Sequence, residues 1–312
     1  MQLAAHVCDA LGKNAAAIQW PIGIPRGAIS TSFRRVVYPY LFLNHQGPSM
    51  RSDLDNPSKP RVWLTGASYG IGRAVALEYA QRGAFIGLTA RSEDLLKDLL
   101  EEIRAAGGEG MVLAGDVKDR DAMLQNAATM QSHTGGIDIL IANAGSHLAS
   151  EVESFDAEQY MGLMELNYAG SLNCIQAVLP EMLRQGSGHI VGVASLAGYR
   201  GVPSAAAYGA SKAALIHFLE SLRFHVAPEG VQVTIVNPGF VRTPLTDKND
   251  FKMPFMIEAD KAARIMCNGI RRGRREITFP FLFATFVKLL RILPMPLYIM
   301  LMKMTWKRMQ KG

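Results

Sequence analysis

In the run AAAYGASKAAL, residues 205–215, Tyr208 and Lys212 are the two large polar side chains among small and apolar ones. Their four-residue spacing places both on one face of a helix, one turn apart. A free phenol, with a pKa of about 10, is a poor base at neutral pH, and a cation one turn away favours the phenolate and lowers that value. Such a pair can pass a proton to or from a substrate oxygen. Ser195, at the end of the apolar run GHIVGVAS, adds a hydroxyl donor for charge developing on the same oxygen.

These groups need a frame and a ligand, and the segment RVWLTGASYGIGRAVALEYAQRG predicts both. It reads as a buried strand over 62–65, a glycine turn and an amphipathic helix ending near Gly83. Gly66, Gly70 and Gly72 stand where a backbone must turn tightly and admit a pyrophosphate to the helix N-terminus. The bland alternative is a tight strand–helix turn with no ligand. A second strand and helix, AFIGLTARSEDLLKDLLEEIRAAGG, complete a βαβ unit. An acid at the end of that second strand would bind the ribose 2′-hydroxyl of NAD, and a base the 2′-phosphate of NADP. The sequence offers Arg91 and no acid before Glu93, so NADP(H) is favoured over NAD(H). Four further Val/Ile/Leu-rich runs end at Asp116, Asn143–Gly145, Ser195 and Pro238–Gly239, as strands of a buried parallel sheet do.

Taken together, TGASYGIG (65–72), NAG (143–145), Asn167 in ELNYAG, Ser195, YGASK (208–212) and NPGFVRT (237–243) resemble the short-chain dehydrogenase/reductase family. The resemblance implies a doubly wound α/β Rossmann fold over 60–278 and hydride transfer between a nicotinamide and a carbonyl or alcohol carbon. It implies a catalytic set of Asn167, Ser195, Tyr208 and Lys212, with Asn167 holding a water in a proton relay behind the lysine. Cofactor contacts would come from Thr65, Gly66, Ser68, Tyr69, Gly70, Ile71 and Gly72 in the turn, and from Arg91. Asp116 would contact the adenine, and Asn143, Ala144 and Gly145 the adenosine-side wall. Lys212 would reach the nicotinamide ribose hydroxyls, Tyr208, Pro238, Gly239 and Val241 would also touch the cofactor, and Thr243 would contact the nicotinamide carboxamide. A homodimer or homotetramer is also implied.

Length and composition are those of a globular chain that could hold one large domain or two ordinary ones: 312 residues, 49% hydrophobic and 19% charged. The net charge of +6 is uneven. Residues 61–270 are acidic and the ends basic, which argues against a nucleic-acid binder. Cys8, Cys174 and Cys267 are too few and too scattered for a disulfide framework or a metal site, and fit a reducing, cytoplasmic setting. Residues 1–59 lack the pattern of a signal peptide and read as a poorly ordered extension, with Met50 an alternative start.

After Thr243, Phe251, Met253, Phe255 and Met256 lie where the family has a substrate loop, and point to an apolar, lipid-like substrate or to simple packing of that loop. Residues 279–302 are long enough to span a bilayer, which takes about 20 residues, but contain Lys288, Arg291, Pro294 and Pro296. They read as two short amphipathic pieces lying on a surface, flanked by basic residues at 271–275 and 303–311. A peripheral site on the inner, anionic membrane face, a lid over the substrate pocket and a subunit contact all remain open for them. The competing functional classes are a non-catalytic nucleotide sensor, a structural membrane-surface protein, and an epimerase or dehydratase. The first would be expected to lack Tyr208 or Lys212.

Overall fold

Apolar residues that alternate along each strand divide the core between the two faces of one sheet. The computed structural model describes residues 59–147, 155–244, 246, 253 and 255–309, with side chains to residue 304. The expectations for residues 1–58, including Met50, and for Phe251 lie outside the described residues. Strands β1 (Arg61–Thr65), β2 (Phe85–Thr89), β3 (Glu109–Val112), β4 (Ile139–Ala142), β5 (Gly188–Val193) and β6 (Val231–Pro238) join a later strand, Glu276–Phe279, in a seven-stranded sheet. The order is β3-β2-β1-β4-β5-β6 followed by that last strand, and every pairing is parallel. In β1, Val62 and Leu64 enter one core and Trp63 the other. That is the period-two alternation of a strand covered on both sides.

Helices α1 (Gly70–Gln81) and α2 (Glu93–Ala105) pack on the first face. In α2, Leu96, Leu99, Leu100 and Ile103 recur at the 3.6-residue period and are buried, while charged residues cover the outside. Helices α3 (Arg120–Thr134), α5 (Gly170–Gln185) and α6 (Ala206–Val226) pack on the second face. A short helix α4 (Ala157–Met164) leads through one turn of π-helix, Glu165–Ala169, into α5. After β6 come a two-residue pair, β7 (Val241–Arg242) with β8 (Ile257–Glu258), then α7 (Ala259–Arg271) on the first face.

The last sheet strand, β9 (Glu276–Phe279), straddles the boundary that the sequence draws at residue 278. Helices α8 (Phe281–Ile292) and α9 (Met295–Met309) follow it. The break between them falls at Leu293–Pro294, and Pro296 sits in the first turn of α9, where no intrahelical N–H bond is lost. Among the described residues, no helix is long and apolar enough to cross a membrane.

Candidate active site

Because the strand order reverses between β1 and β4, the loops leaving those two strands separate and open a cleft at the carboxyl edge of the sheet. The cleft measures about 660 Å³. Its floor is the glycine turn. Gly66 has φ of +66°, and a Cβ there would stand 2.7 Å from the Ala144 Cα. A Cβ on Gly72 would lie 2.0 Å from the Gly66 carbonyl oxygen, so helix and turn can approach this closely only without side chains. At the start of α1, Tyr69 provides no capping hydrogen bond and the first turn carries no acid. The N–H groups there are left for an external anion.

Asn143 and Thr65 brace that turn. The Asn143 side-chain amide donates to the carbonyl oxygens of Thr65 and Gly66 at 3.0 and 3.1 Å. The Thr65 hydroxyl accepts from the backbone N–H groups of Asn143 and Ala144 at 3.1 and 3.2 Å. Glycine-lined space, uncapped N–H groups and a cleft of this size fit the diphosphate and rings of a dinucleotide.

Ser195, Tyr208 and Lys212 line the same cleft. Lys212, one turn after Tyr208 on α6, is buried and donates to the Val193 carbonyl oxygen at 2.9 Å. Its ammonium lies 5.9 Å from the centre of the Tyr208 ring. Burial pushes the lysine down to about 8. The expected lowering of the tyrosine by its neighbour is not what this geometry gives. Burial raises the Tyr208 phenol above its usual value, and a hydrogen bond with Ser195 opposes that. The reason is physical: the partner cation is itself weakened by burial and directed at a carbonyl oxygen rather than at the phenol. Ser195 also accepts from the Ala197 N–H at 3.1 Å, which fixes the hydroxyl at the N-cap of a short 3₁₀ turn.

Asn167 lies in the π-turn, a local widening that recurs where a helix must aim a side chain inward. Its side chain is fully buried: the oxygen accepts from the Ser146 N–H at 2.9 Å, and the amide donates to Ser146 O at 3.0 Å and Ser211 Oγ at 2.9 Å. Ser211 in turn donates to the Tyr208 carbonyl oxygen at 2.7 Å. Gly145 is where these parts crowd together, since a Cβ there would be 2.9 Å from Asn167 Oδ1 and 3.1 Å from Lys212 Nζ.

Of the catalytic and cofactor-binding residues expected from sequence, all but Thr65 and Asn167 line this one cleft, whereas Met253, Phe255 and Met256 of the expected substrate loop do not. Thr65 and Asn167 stand behind its wall and act through their neighbours, the former on the 143–144 backbone and the latter on Ser146 and Ser211. Both hydrogens of the Asn167 amide are committed to protein partners, so the side chain braces Ser146 and Ser211 behind the cleft. Arg91 lines the cleft just beyond the end of β2, exposed and unpaired with any other described residue. The Asp116 carboxylate accepts from the Lys118 N–H at 3.0 Å. Thr243 is held by Thr246, whose hydroxyl accepts from the Thr243 N–H at 3.0 Å and donates to Val241 O at 2.8 Å.

Three contributors are missing from the expectations drawn from sequence. Ser211 was legible as the inward neighbour of Lys212 within YGASK, but Thr246 carried no signal. His147 lies edge-on to the Tyr208 ring, with centroids 5.0 Å apart, and burial favours its neutral form. It follows NAG by two residues, and only the fold brings it to the phenol. Among the described residues no three His, Cys, Asp or Glu side chains gather into a metal site. Cys174 and Cys267 are buried and free.

Comparison with known proteins agrees with this geometry. Residues 60–253 match the family model described as short chain dehydrogenase. An uncharacterized oxidoreductase of Myxococcus xanthus is 40% identical over 235 residues, covering 75% of this chain and 93% of that protein. The 11-beta-hydroxysteroid dehydrogenase-like 4A protein of Arabidopsis thaliana is 37% identical over 231 residues, 70% of this chain and 76% of that one. Among solved structures, a short chain dehydrogenase/reductase from Burkholderia phymatum in complex with NAD superposes with a TM-score of 0.69 at 25% identity, covering 74% of this chain and 92% of that one. This chain therefore belongs to the short-chain dehydrogenase/reductase family. It is an oxidoreductase of hydroxyl and carbonyl groups, built on the NAD(P)-binding fold of that family.

Proposed function

We propose that the protein catalyses NADPH-dependent reduction of a ketone or aldehyde to an alcohol, or the reverse, on an apolar, lipid-like substrate. The observation that carries the reading is that Ser195, Tyr208 and Lys212 line the same cleft as a glycine-lined anion cradle. A bound nicotinamide supplies or accepts the hydride. Tyr208 gives the proton to the carbonyl oxygen in reduction and takes it in oxidation. The raised pKa of its phenol keeps it in the donor form, which suits the reductive direction. Ser195 donates a hydrogen bond to the same oxygen as charge develops there. Lys212, held by Val193 O, retains its charge below about pH 8 and would hold the nicotinamide ribose hydroxyls.

Arg91 supports NADP over NAD: an unpaired guanidinium at the end of β2 meets a 2′-phosphate with a charge-assisted bond. An apolar substrate is supported by Phe255, 58% exposed, which stacks on Phe283 beside Phe240 at the rim near Gly239. The family further supports a homodimer or homotetramer. The test is titration with NADPH and NADH by nicotinamide fluorescence, then turnover on medium- and long-chain aldehydes and ketones. Tight NADPH binding with turnover that improves with chain length is expected. Absence of binding by either nucleotide overturns the reading.

A further inference from the structure

The apolar side chains of α8 form two sets on opposite faces. Ala284 and Leu290 are buried, with Phe283 and Val287 packed against the core. Phe281, Leu282, Phe286, Leu289 and Ile292 project the other way and are 55–77% exposed. On α9, Tyr298 turns inward while Met295, Ile299 and Met300 stay in the open. Single exposed apolar residues are ordinary, but two successive helices with outward apolar faces make a patch that a monomer in water does not keep without a partner.

The patch stands on a fixed platform. The Arg200 guanidinium caps the C-terminus of α8 by donating to the carbonyl oxygens of Leu290 and, at 2.8 Å, Leu293. It also stacks 3.9 Å from the centre of the Tyr298 ring. Lys288 pairs with Glu276, and the Tyr298 hydroxyl donates to Gly201 O. With 12 residues, α8 is roughly 18 Å long at 1.5 Å per residue, against about 30 Å of hydrocarbon, so it can lie in a membrane surface but not cross one.

Charge selects the partner. Residues 271–312 contain ten Lys and Arg and one acid, Glu276. The Glu276 carboxylate is already taken by Lys288 and Tyr199. The same ion pair brings α8 alongside the turn that bears the exposed Arg271, Arg272, Arg274 and Arg275. A second copy laid face to face would set one basic field against another, with no free acid within residues 271–312 to offset it. A surface of anionic lipid attracts both the field and the apolar face.

We propose that α8 and α9 form an in-plane docking surface for an anionic lipid bilayer. Their outward side chains enter the acyl boundary, and the arginines of 271–275 lie against the headgroups. The helix that carries the surface also reaches the cleft by its inner face: Phe283 stacks on Phe240 and Phe255, with ring centres 5.6 and 6.2 Å apart, and abuts Gly239 at the cleft wall. An amphipathic alcohol or ketone can thus pass from the bilayer to the rim along aromatic rings, a consequence that rests on the cleft being the substrate site.

The experiment is flotation of the full chain with phosphatidylcholine vesicles, with and without phosphatidylglycerol, at low and high salt. Nucleotide binding and oligomeric state are measured on the same samples. The expected result is flotation with the anionic vesicles, weakened by salt. Phe286→Asp with Ile292→Asp, and separately Arg271→Glu with Arg274→Glu, should each lower partitioning roughly tenfold or more while nucleotide binding is kept. Failure of the wild-type chain to float with anionic vesicles overturns the proposal. So does a dimer that Phe286→Asp with Ile292→Asp dissociates while flotation is unchanged, because the face then belongs to a second copy. Flotation without nucleotide binding would leave the docking surface standing and remove the catalytic reading instead.

Discussion

Around the cleft, Asn167, Ser211 and Lys212 are polar side chains sealed in the interior, whereas on α8 Phe281, Leu282 and Ile292 are apolar side chains left in water. The two regions depart from the ordinary burial pattern in opposite directions, and they differ in how the departure is compensated. Inside, the Asn167 amide is bonded to Ser146 and Ser211, and Lys212 to Val193 O. Full hydrogen bonding lets buried polar groups fix a geometry instead of merely destabilising it. Outside, the α8 face has no compensation within the described residues. A satisfied buried polar cluster thus marks chemistry done by the chain itself, and an uncompensated apolar face marks work done with something else.

Tyr208→Phe is the sharpest way to break the first half of that contrast. It removes one hydroxyl from the cleft and little of the nucleotide site. Turnover should fall by about 10²–10⁴, the usual worth of positioned acid–base catalysis, with NADPH binding nearly unchanged. Fluorescence titration beside single-turnover kinetics reads both quantities. Substantial residual turnover would show that the proton comes from elsewhere.

A buried polar group far from the cleft tests whether compensation there is complete. His189 on β5 is fully buried, with Nε2 2.8 Å from Thr234 Oγ1 and Nδ1 without a partner among the described residues. Burial pushes its pKa down to about 4. The unfolded chain, with an ordinary value near 6.5, therefore binds more protons than the folded one between about pH 6.5 and 4, and stability is lost as pH falls through that window. The loss should be on the order of 3 kcal/mol. Denaturant melts at pH 7 and 4.5 measure it, and His189→Gln should flatten the difference between them.

Arg91→Ala is smaller and concerns selectivity alone. Losing a charge-assisted bond to a phosphate should weaken NADPH roughly ten- to a hundredfold and leave NADH nearly untouched. Equal effects on both nucleotides would remove the basis for preferring NADP.

Periodicity made the sheet legible. Trp63 facing the opposite core from Val62 and Leu64, and the Leu96–Ile103 stripe of α2, follow from residue type and spacing alone. The glycine turn was legible for the same reason, since only glycine tolerates the contacts at Gly66 and Gly72. What spacing could not give was the environment. The rise of the Tyr208 phenol depends on burial by residues distant in the chain. Likewise, the contact of His147 with Tyr208 joins the end of β4 to α6, and the bracing role of Asn167 requires a π-turn that no local propensity announces. Nor did the sequence reveal that Arg200, eight residues before Tyr208, would cap a helix almost a hundred residues later.

The two faces of α8 allow the comparison to be made within a single helix, and here the expected effects are the smallest. Leu290 is 8% exposed and Ile292 is 77% exposed, although they stand two residues apart. Leu290→Ala removes packing beside the Arg200 cap and should cost roughly 2 kcal/mol. Ile292→Ser removes an apolar side chain that touches mostly water and should stay within about 0.5 kcal/mol. Thermal melts of the two variants without lipid give the intrinsic cost of each face. Adding anionic vesicles should then raise the apparent stability of Leu290→Ala more than that of Ile292→Ser, because binding stabilises the folded state in proportion to the affinity that remains. If vesicles stabilise both variants equally, Ile292 does not belong to the docking face, and the contrast between the two sides of α8 is one of packing alone.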